Sequence, residues 1–182
     1  MKQDLTTGPV TRVMLRFALP MMVGNLLQQL YNVVDTLIVG QFLGADALAA
    51  VGSAYTLMTF LNSILLGLCM GSGALFSLYY GAGDKERLGQ SLFVSFTLIA
   101  LVALALTAGA FAALDPILQA LRVPAQIYAL MREYLWVIFL GIGVTFLYNW
   151  CACALRAVGN SAAPLLFLAL AAAGNIGLDL LF

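Results

Sequence analysis

Histidine is absent from the sequence, and charged residues are scarce: 8 Lys or Arg and 8 Asp or Glu among 182 residues, giving a net charge of zero. A neutral chain offers no electrostatic basis for binding nucleic acid. The three cysteines lie in apolar segments, and a Cys-x-Cys spacing without histidine or further cysteines does not form a zinc site; they are Cys69, Cys151 and Cys153. Free thiols in such segments usually pack as small hydrophobic side chains. We therefore expect no structural metal, no disulfide and no cofactor.

Apolar residues dominate what is present. The hydrophobic fraction is 63%, against roughly 45–50% for an ordinary soluble domain. Charges cluster between long apolar runs, and crossing a bilayer takes about 20 such residues. This pattern predicts an all-α integral membrane protein, a polytopic helix bundle without a soluble domain. Turn-forming residues separate five predicted spans, at about 11–41, 47–80, 88–114, 125–156 and 164–182. Asp115-Pro, for example, predicts a turn between the third and fourth spans.

Lysine and arginine are distributed unevenly between the two ends of the predicted spans. With the N-terminus inside, the inner side holds Lys2, Arg12, Arg16, Lys85, Arg87 and Arg156, whereas the outer side holds Arg122 and Arg132. Basic residues favour the cytoplasmic side, so we predict a multi-pass protein of the plasma (inner) membrane with a cytoplasmic N-terminus. The first apolar run is too long for the core of a signal peptide, which takes about 7–15 residues. It should remain as an uncleaved membrane helix.

One carboxylate, Asp35, lies within an otherwise uncharged run from Phe17 to Ala45. A charge at the centre of a membrane helix costs roughly 2.5–3.5 kcal/mol on insertion scales, so it is rarely accidental. Polar residues that precede it by seven, four and three positions share its helix face; they are Gln28, Tyr31 and Asn32. This face predicts an interior site that handles an ion or a proton.

A second carboxylate within a predicted span is Asp179, and Asn175 lies four residues earlier on the same helix face. At about 1.5 Å per residue, Asp179 lies roughly 22 Å beyond Pro164, and Asp35 lies roughly 28 Å beyond Arg16. Both counts start on the inner side, so the two carboxylates are expected at similar depths in the outer half. Two carboxylates in one poorly solvated pocket would not both ionise easily. A shared proton or a bound Na⁺ would relieve their repulsion, and the pair would titrate as a unit.

Three further residues carry weaker signals. Pro20 removes a backbone hydrogen bond and predicts a kink in the first helix. Tyr134 and Asn149 lie on the predicted fourth helix, 15 residues and about 22 Å apart, which is too far for one small site. Tyr134 follows two charged residues, so a position in the aromatic belt of the outer interface is as compatible with the sequence as a site role.

The segment Gly81-Ala-Gly-Asp84 matches the Gly-x-Gly-Asp signature of intramembrane aspartic proteases. Those enzymes also use two membrane aspartates, so the class must be considered. Asp84 is followed by Lys85-Glu-Arg, which indicates a cytoplasmic turn, and neither Asp35 nor Asp179 lies in such a motif. The match therefore does not support protease chemistry.

Several motifs in combination resemble the N-terminal half of multidrug and toxic compound extrusion (MATE) transporters, in that family's order. They are Phe17-Ala-Leu-Pro-Met-Met, Val33-Val-Asp-Thr-Leu-Ile-Val-Gly, Leu43-Gly-Ala-Asp-Ala-Leu-Ala-Ala-Val-Gly, Gly81-Ala-Gly-Asp-Lys-Glu, Leu155-Arg-Ala-Val-Gly-Asn-Ser and Asn175-Ile-Gly-Leu-Asp. Each motif alone is weak, but together they cover essentially the whole chain. The resemblance implies five of the six helices of the N-lobe, within a twelve-helix transporter of two pseudo-symmetric lobes.

The same resemblance implies functions for individual residues. MATE transporters are not enzymes, and they export cationic amphipathic drugs in exchange for protons or sodium ions, which connects them with antibiotic resistance. By position, Asp35, Asn175 and Asp179 resemble the ion and proton site of the N-lobe. The implied cavity residues are Gln28, Tyr134 and Asn149, to which the polar face adds Tyr31 and Asn32. Pro20 resembles the proline at which the first helix bends.

The expected partners are cationic drugs, membrane lipids and a C-terminal lobe. The sequence stops within an apolar run, Leu180-Leu-Phe182, without a cap, a turn or a flanking charge. We therefore expect the front part of a longer protein, which would not transport alone. Three alternatives stay open: a lipid-linked sugar flippase of the same superfamily, an intramembrane aspartic protease and a non-catalytic membrane scaffold.

Overall fold

Seven α-helices make up most of the chain that the computed structural model describes, namely residues 9–121 and 123–181, with the backbone alone for residues 43 and 179–181. They are α1 (Val10–Ile38), α2 (Gly44–Gly81), α3 (Lys85–Ala112), α4 (Leu114–Ala120), α5 (Ala125–Leu140), α6 (Ile142–Ala157) and α7 (Ala162–Leu181). A π-helical turn, Val39–Leu43, joins α1 to α2. The described residues contain no strand, and the predicted all-α class is confirmed.

Among the described residues, three stretches are long and apolar enough to cross a bilayer: Val10–Phe42, Gly44–Gly81 and Lys85–Ala112. Helices α5 and α6 satisfy the same criteria as a pair, but their axes are bent by 43° at Gly141. The described apolar part of α7, Ala162–Leu178, is shorter. These helices make the chain a multi-pass membrane protein. The five spans and the cytoplasmic N-terminus stay predictions.

Helix α2 forms the centre of the bundle and packs against α3, α5 and α6. Its inward face places Leu65 and Cys69 in one core cluster with Met131, Leu135 and Phe139 of α5, and each of these side chains is fully buried. In lipid, where burying apolar surface drives little association, such close packing is what holds helices together. Helix α1 packs chiefly against α7, which also contacts α6. Contacts with α7 therefore hold most of α1 against the bundle.

Two glycines permit close approach between helices. A Cβ atom at Gly73 of α2 would lie 3.3 Å from the Cβ of Cys153 on α6. A Cβ atom at Gly24 of α1 would lie 3.5 Å from Cδ1 of Leu165 and 3.7 Å from Cδ2 of Leu168, both on α7. The α2–α6 contact is the tighter of the two, and it leaves no room for a large side chain at position 73.

Proline and glycine shape the helices differently from the sequence-based expectation. Asp115-Pro, predicted as a turn, lies in the first turn of α4. Proline is compatible with that position because a first-turn N–H has no partner within the helix. Pro20 lies inside α1, and the helix continues through it, so the predicted kink stays a prediction. A bend of 43° that the sequence did not indicate lies at Gly141, where the backbone N–H donates to the carbonyl of Ile138 at 2.8 Å.

The Gly81-Ala-Gly-Asp84 motif forms the turn between α2 and α3. Gly83 has φ +72°, a conformation that glycine adopts without steric cost. Asp84 is the N-cap of α3, and its Oδ1 accepts a hydrogen bond from the backbone N–H of Arg87 at 3.0 Å. Asparagine, aspartate, serine and threonine are favoured at such positions because they satisfy a helix N–H that otherwise has no partner. Capping therefore explains the presence of Asp84.

A polar cluster joins α4 to α5. Oδ1 of Asp115 accepts hydrogen bonds from Nε of Arg132 at 2.8 Å and from the hydroxyl of Tyr128 at 3.2 Å. The Asp115 and Arg132 side chains are each about half exposed. The hydrogen bond from Arg132 holds the pKa of Asp115 below its ordinary value, and desolvation opposes this effect.

We expect acidification to weaken this cluster. A carboxyl whose pKa is lowered in the folded state stabilises the fold above its unfolded pKa, and that stabilisation is lost as the pH falls through the folded pKa. The unfolding temperature of wild type should therefore exceed that of Asp115→Asn by a small, constant amount between about pH 8 and pH 5. Below about pH 4, near the ordinary aspartate pKa, the difference should shrink. Thermal unfolding in detergent measures it, and a difference that grows on acidification would contradict the prediction.

Candidate functional site

The polar face predicted from the sequence lies in the C-terminal half of α1. Gln28 is exposed, whereas Tyr31, Asn32 and Asp35 are partly buried. Nδ2 of Asn32 donates a hydrogen bond to Oε1 of Gln29 at 3.2 Å, which fixes the Asn32 amide along the helix surface. Ionising a carboxyl on a partly buried face of an apolar helix is costly unless donors or a counter-charge accompany it. The groups that surround Asp35 therefore determine whether its carboxyl can be ionised at this position.

Tyr134 of α5 lies beside this face. Its side chain is partly buried, and its hydroxyl interacts electrostatically with Asp35 and Tyr31. Its neighbours Met131 and Leu135 are fully buried in the core, which sets the rotation of α5 about its own axis. The structure thus brings Tyr134 near the α1 residues Asp35 and Tyr31. Its place relative to the membrane interface stays a prediction.

Asn175 of α7 adds an oxygen ligand of a different kind. Its Oδ1 atom is buried and has no hydrogen-bond partner within the described residues. A buried amide oxygen without a partner costs about 1–3 kcal/mol, so such atoms are uncommon outside functional sites or water-filled positions. An unpartnered oxygen can accept a proton donor or coordinate a hard cation. Asp179 lies on the same helix, but its side chain is outside the described residues.

Asn149 of α6 is held by its own helix. Its Nδ2 donates to the backbone carbonyl of Thr145 at 3.0 Å, and the Thr145 hydroxyl in turn donates to the carbonyl of Gly141 at 3.0 Å. This chain of hydrogen bonds runs along α6 to the bend. Asn149 and Tyr134 therefore lie on opposite sides of the bend. This is consistent with the expectation that the two residues do not share one small site.

Two buried polar atoms belong to residues that the sequence analysis did not select. Oδ1 of Asn62 on α2 and Nε of Arg156 on α6 are buried without a hydrogen-bond partner in the described part of the chain. Asn62 is a lone amide in the apolar run Phe60–Leu68, which is a signal that sequence can show. Arg156 was counted only as an orienting charge, and nothing in its sequence context predicts a buried nitrogen.

Comparison with known proteins identifies relatives. The sequence profile of the MatE family matches residues 20–181. "Probable multidrug resistance protein YpnP" of Bacillus subtilis (strain 168) is 33% identical over 181 residues, which is 98% of this chain and 40% of that protein. The "FAD transporter" of Shewanella oneidensis is 27% identical over 182 residues, 98% of this chain and 39% of that protein. The chain thus spans about 40% of the length of these curated relatives.

A solved structure shows the same fold. It is that of the MATE multidrug transporter DinF-BH, which superposes with a TM-score of 0.90 at 26% identity. The superposition covers 100% of this chain and 41% of DinF-BH. The arrangement of the helices described above, including the bent α5–α6 pair, is therefore part of a known transporter architecture.

Proposed function

The chain belongs to the MatE family, the multidrug and toxic compound extrusion transporters, and we propose that it forms the ion-coupled part of a drug exporter. The complete transporter exchanges protons or sodium ions for cationic amphipathic compounds by alternating access. Helices α1 to α7 supply five of the six spans of one lobe, together with its ion site. Further helices, of the kind that the longer relatives carry, complete the path of the substrate.

The observation that carries this proposal is the electrostatic interaction of the Tyr134 hydroxyl with Asp35 and with Tyr31, which precedes Asp35 by about one helical turn. An intramembrane carboxylate is expensive and marks a functional site by default. A phenolic hydroxyl can donate a hydrogen bond to an ionised carboxylate and can accept one from a protonated carboxyl. Such neighbours can stabilise both the ionised and the protonated form of Asp35. An ion-coupling site needs this property because it alternates between an ion-free and an ion-bound form.

The contact between α1 and α7 supports a two-carboxylate site. Successive spans alternate in direction, so the first and the last run the same way. Gly24 lies against Leu165 and Leu168. Asp35 follows Gly24 by eleven residues, and Asp179 follows the two leucines by fourteen and eleven residues. At about 1.5 Å per residue, α1 advances by about 16 Å and α7 by about 16–21 Å, so the heights of the two positions differ by about one helical turn or less. Asn175 lies one turn before, where its unpartnered Oδ1 adds a cation ligand.

Ion binding would change how α1 packs against α7. Because α1 packs chiefly against α7, the charge state of the paired carboxylates controls the repulsion across that one contact. A proton or Na⁺ removes the repulsion and favours close packing of α1 on α7. Release of the ion toward the cytoplasm restores the repulsion and the alternative packing. The two packings are the two states between which the transporter alternates.

The class of substrate comes from the relatives. One is named a probable multidrug resistance protein, and DinF-BH is named a multidrug transporter. A second candidate is export of a flavin nucleotide, which is favoured by the relative named FAD transporter. The two candidates differ in the charge of the cargo, so a direct transport assay separates them.

Efflux driven by imposed ion gradients tests the proposal. The transporter with its downstream helices is reconstituted in proteoliposomes, and movement of the cationic dye ethidium or of FAD is followed under a proton gradient, a Na⁺ gradient or neither. We expect one gradient to accelerate ethidium efflux by about 10-fold or more, which corresponds to lowering the barrier to transport by about 1.4 kcal/mol or more. Acceleration of FAD alone would select the second candidate, and efflux that is independent of both gradients would overturn ion coupling.

A further inference from the structure

Arg156, in the last turn of α6, differs from the other basic residues of the described chain. Within residues 9–121 and 123–181 it is the one lysine or arginine whose side chain is not exposed. Its Nε is buried and lacks a hydrogen-bond partner among those residues. A buried N–H without an acceptor is unfavourable, because that atom has lost its hydrogen bonds to water without compensation. The protein's own atoms cover Nε, so an external acceptor would bind the terminal nitrogens of this half-buried guanidinium.

The described part of the chain supplies no acceptor for Arg156. Its two ion pairs join Arg87 to Asp84 at 3.4 Å and Arg132 to Asp115 at 2.8 Å. Helix α2 presents Gly73 to this part of α6, and glycine has no side-chain oxygen. A basic residue in a last helical turn also interacts favourably with the helix dipole. That interaction needs only the positive charge, and it does not explain why the Nε–H is withdrawn from solvent.

The surroundings place Arg156 on the inward side of α6 near its end. Thr145, Asn149 and Arg156 follow one helix face, at spacings of four and seven residues. The guanidinium interacts electrostatically with Tyr148, whose hydroxyl donates to the carbonyl of Pro164 in the first turn of α7 at 3.4 Å. Arg156 therefore lies where the end of α6 meets the start of α7.

We propose that Arg156 binds a phosphate-type oxyanion between the end of α6 and the start of α7. The guanidinium carries several N–H donors in a planar fork that matches the oxygens of a phosphate group. Two sources offer this chemistry at the end of a membrane helix: the head group of an anionic phospholipid and a free phosphate group in solution. The binding is independent of ion coupling and of the exported compound, so it stands apart from the function proposed above.

Ligand-dependent thermal stability of the purified transporter tests this site. Unfolding is followed in detergent while dioleoylphosphatidylglycerol, dioleoylphosphatidylcholine or inorganic phosphate is added, because a ligand that binds the folded state raises Tm. The variants are Arg156→Ala, Arg156→Lys and Arg156→Gln, where glutamine keeps a polar side chain should alanine prevent folding. Arg87→Ala is the matched control, because Arg87 is a 70% exposed arginine at the neighbouring start of α3.

We expect phosphatidylglycerol to raise Tm in wild type and Arg87→Ala, with half-saturation shifted at least ~10-fold upward in Arg156→Ala and Arg156→Gln. Arg156→Lys keeps the charge but loses the fork, so an intermediate shift is expected. The same pattern with inorganic phosphate would assign the site to a free phosphate group, and the pattern with phosphatidylglycerol alone assigns it to lipid. Responses that are equal in wild type and in the Arg156 variants would overturn the proposal, as would the absence of any response in wild type.

Discussion

Replacing Asp35 by asparagine should abolish gradient-driven export while the protein remains folded. Asparagine has nearly the shape of aspartate, but it cannot release a proton or give a cation a negatively charged ligand. The neutral side chain also costs less to bury on α1 than the carboxylate does. We expect efflux under the gradient to fall by about 10-fold or more, to the rate measured without a gradient, while the unfolding temperature stays at or above that of wild type.

The matched control for this change is Asp46→Asn. Asp46 is an exposed carboxylate in the first turn of α2, and its replacement removes the same charge from a position outside the proposed site. Efflux by this variant should equal that of wild type. Tyr134→Phe removes a hydroxyl beside Asp35 and should alter the pH dependence of efflux more than its maximum rate. Wild-type efflux in Asp35→Asn would show that the carboxylate takes no part in coupling.

Replacing Gly73 by leucine should disrupt the contact between α2 and α6, the most extensive helix contact in the described chain. A Cβ at position 73 already comes within 3.3 Å of the Cβ of Cys153, so a leucine forces the two helices apart. Overpacking of a close contact costs about 1–3 kcal/mol, and here it also disturbs the core around Cys69. We expect a clear fall in unfolding temperature and in the amount of protein recovered from membranes.

Position 71 provides the comparison for this prediction. A Cβ at Gly71 would meet nothing within 4 Å, and the residue is exposed on the same helix, two positions away. Gly71→Leu adds the same apolar volume to α2 without a clash, so its unfolding temperature should stay near that of wild type. Gly73→Ala should fall between the two. Equal losses in Gly71→Leu and Gly73→Leu would indicate that helix propensity or insertion, not packing against α6, limits stability.

The helices of the membrane spans were largely predictable, and their irregularities were not. The predicted span 125–156 corresponds to α5 and α6 together, but the 43° bend at Gly141 has no signature in an apolar run that contains more than one glycine. The helix α4 was missed because Asp115-Pro is compatible with a turn and with the first turn of a helix. Such choices depend on what the neighbouring helices leave room for.

Within the candidate site, the sequence could place residues that share one helix. Tyr31, Asn32 and Asp35 fall on one face by their spacing alone. It could not bring Tyr134 of α5 near Asp35 of α1, because that proximity depends on how α5 is rotated relative to α1. The rotation follows from the burial of Met131 and Leu135 against α2 and its neighbours.

The sequence by itself determined the all-α membrane class, the family and the exceptional position of Asp35. Hydrophobic length, helical spacing and the cost of burying a charge are local properties, so they can be read along the chain. Only the tertiary structure decided that Tyr134 meets Asp35, that α1 is attached mainly through α7, and that Gly73 and Arg156 lie at tight or buried contacts. Those contacts are between residues far apart in the chain. They depend on the tilt and rotation of whole helices, which are set by close packing between the helices.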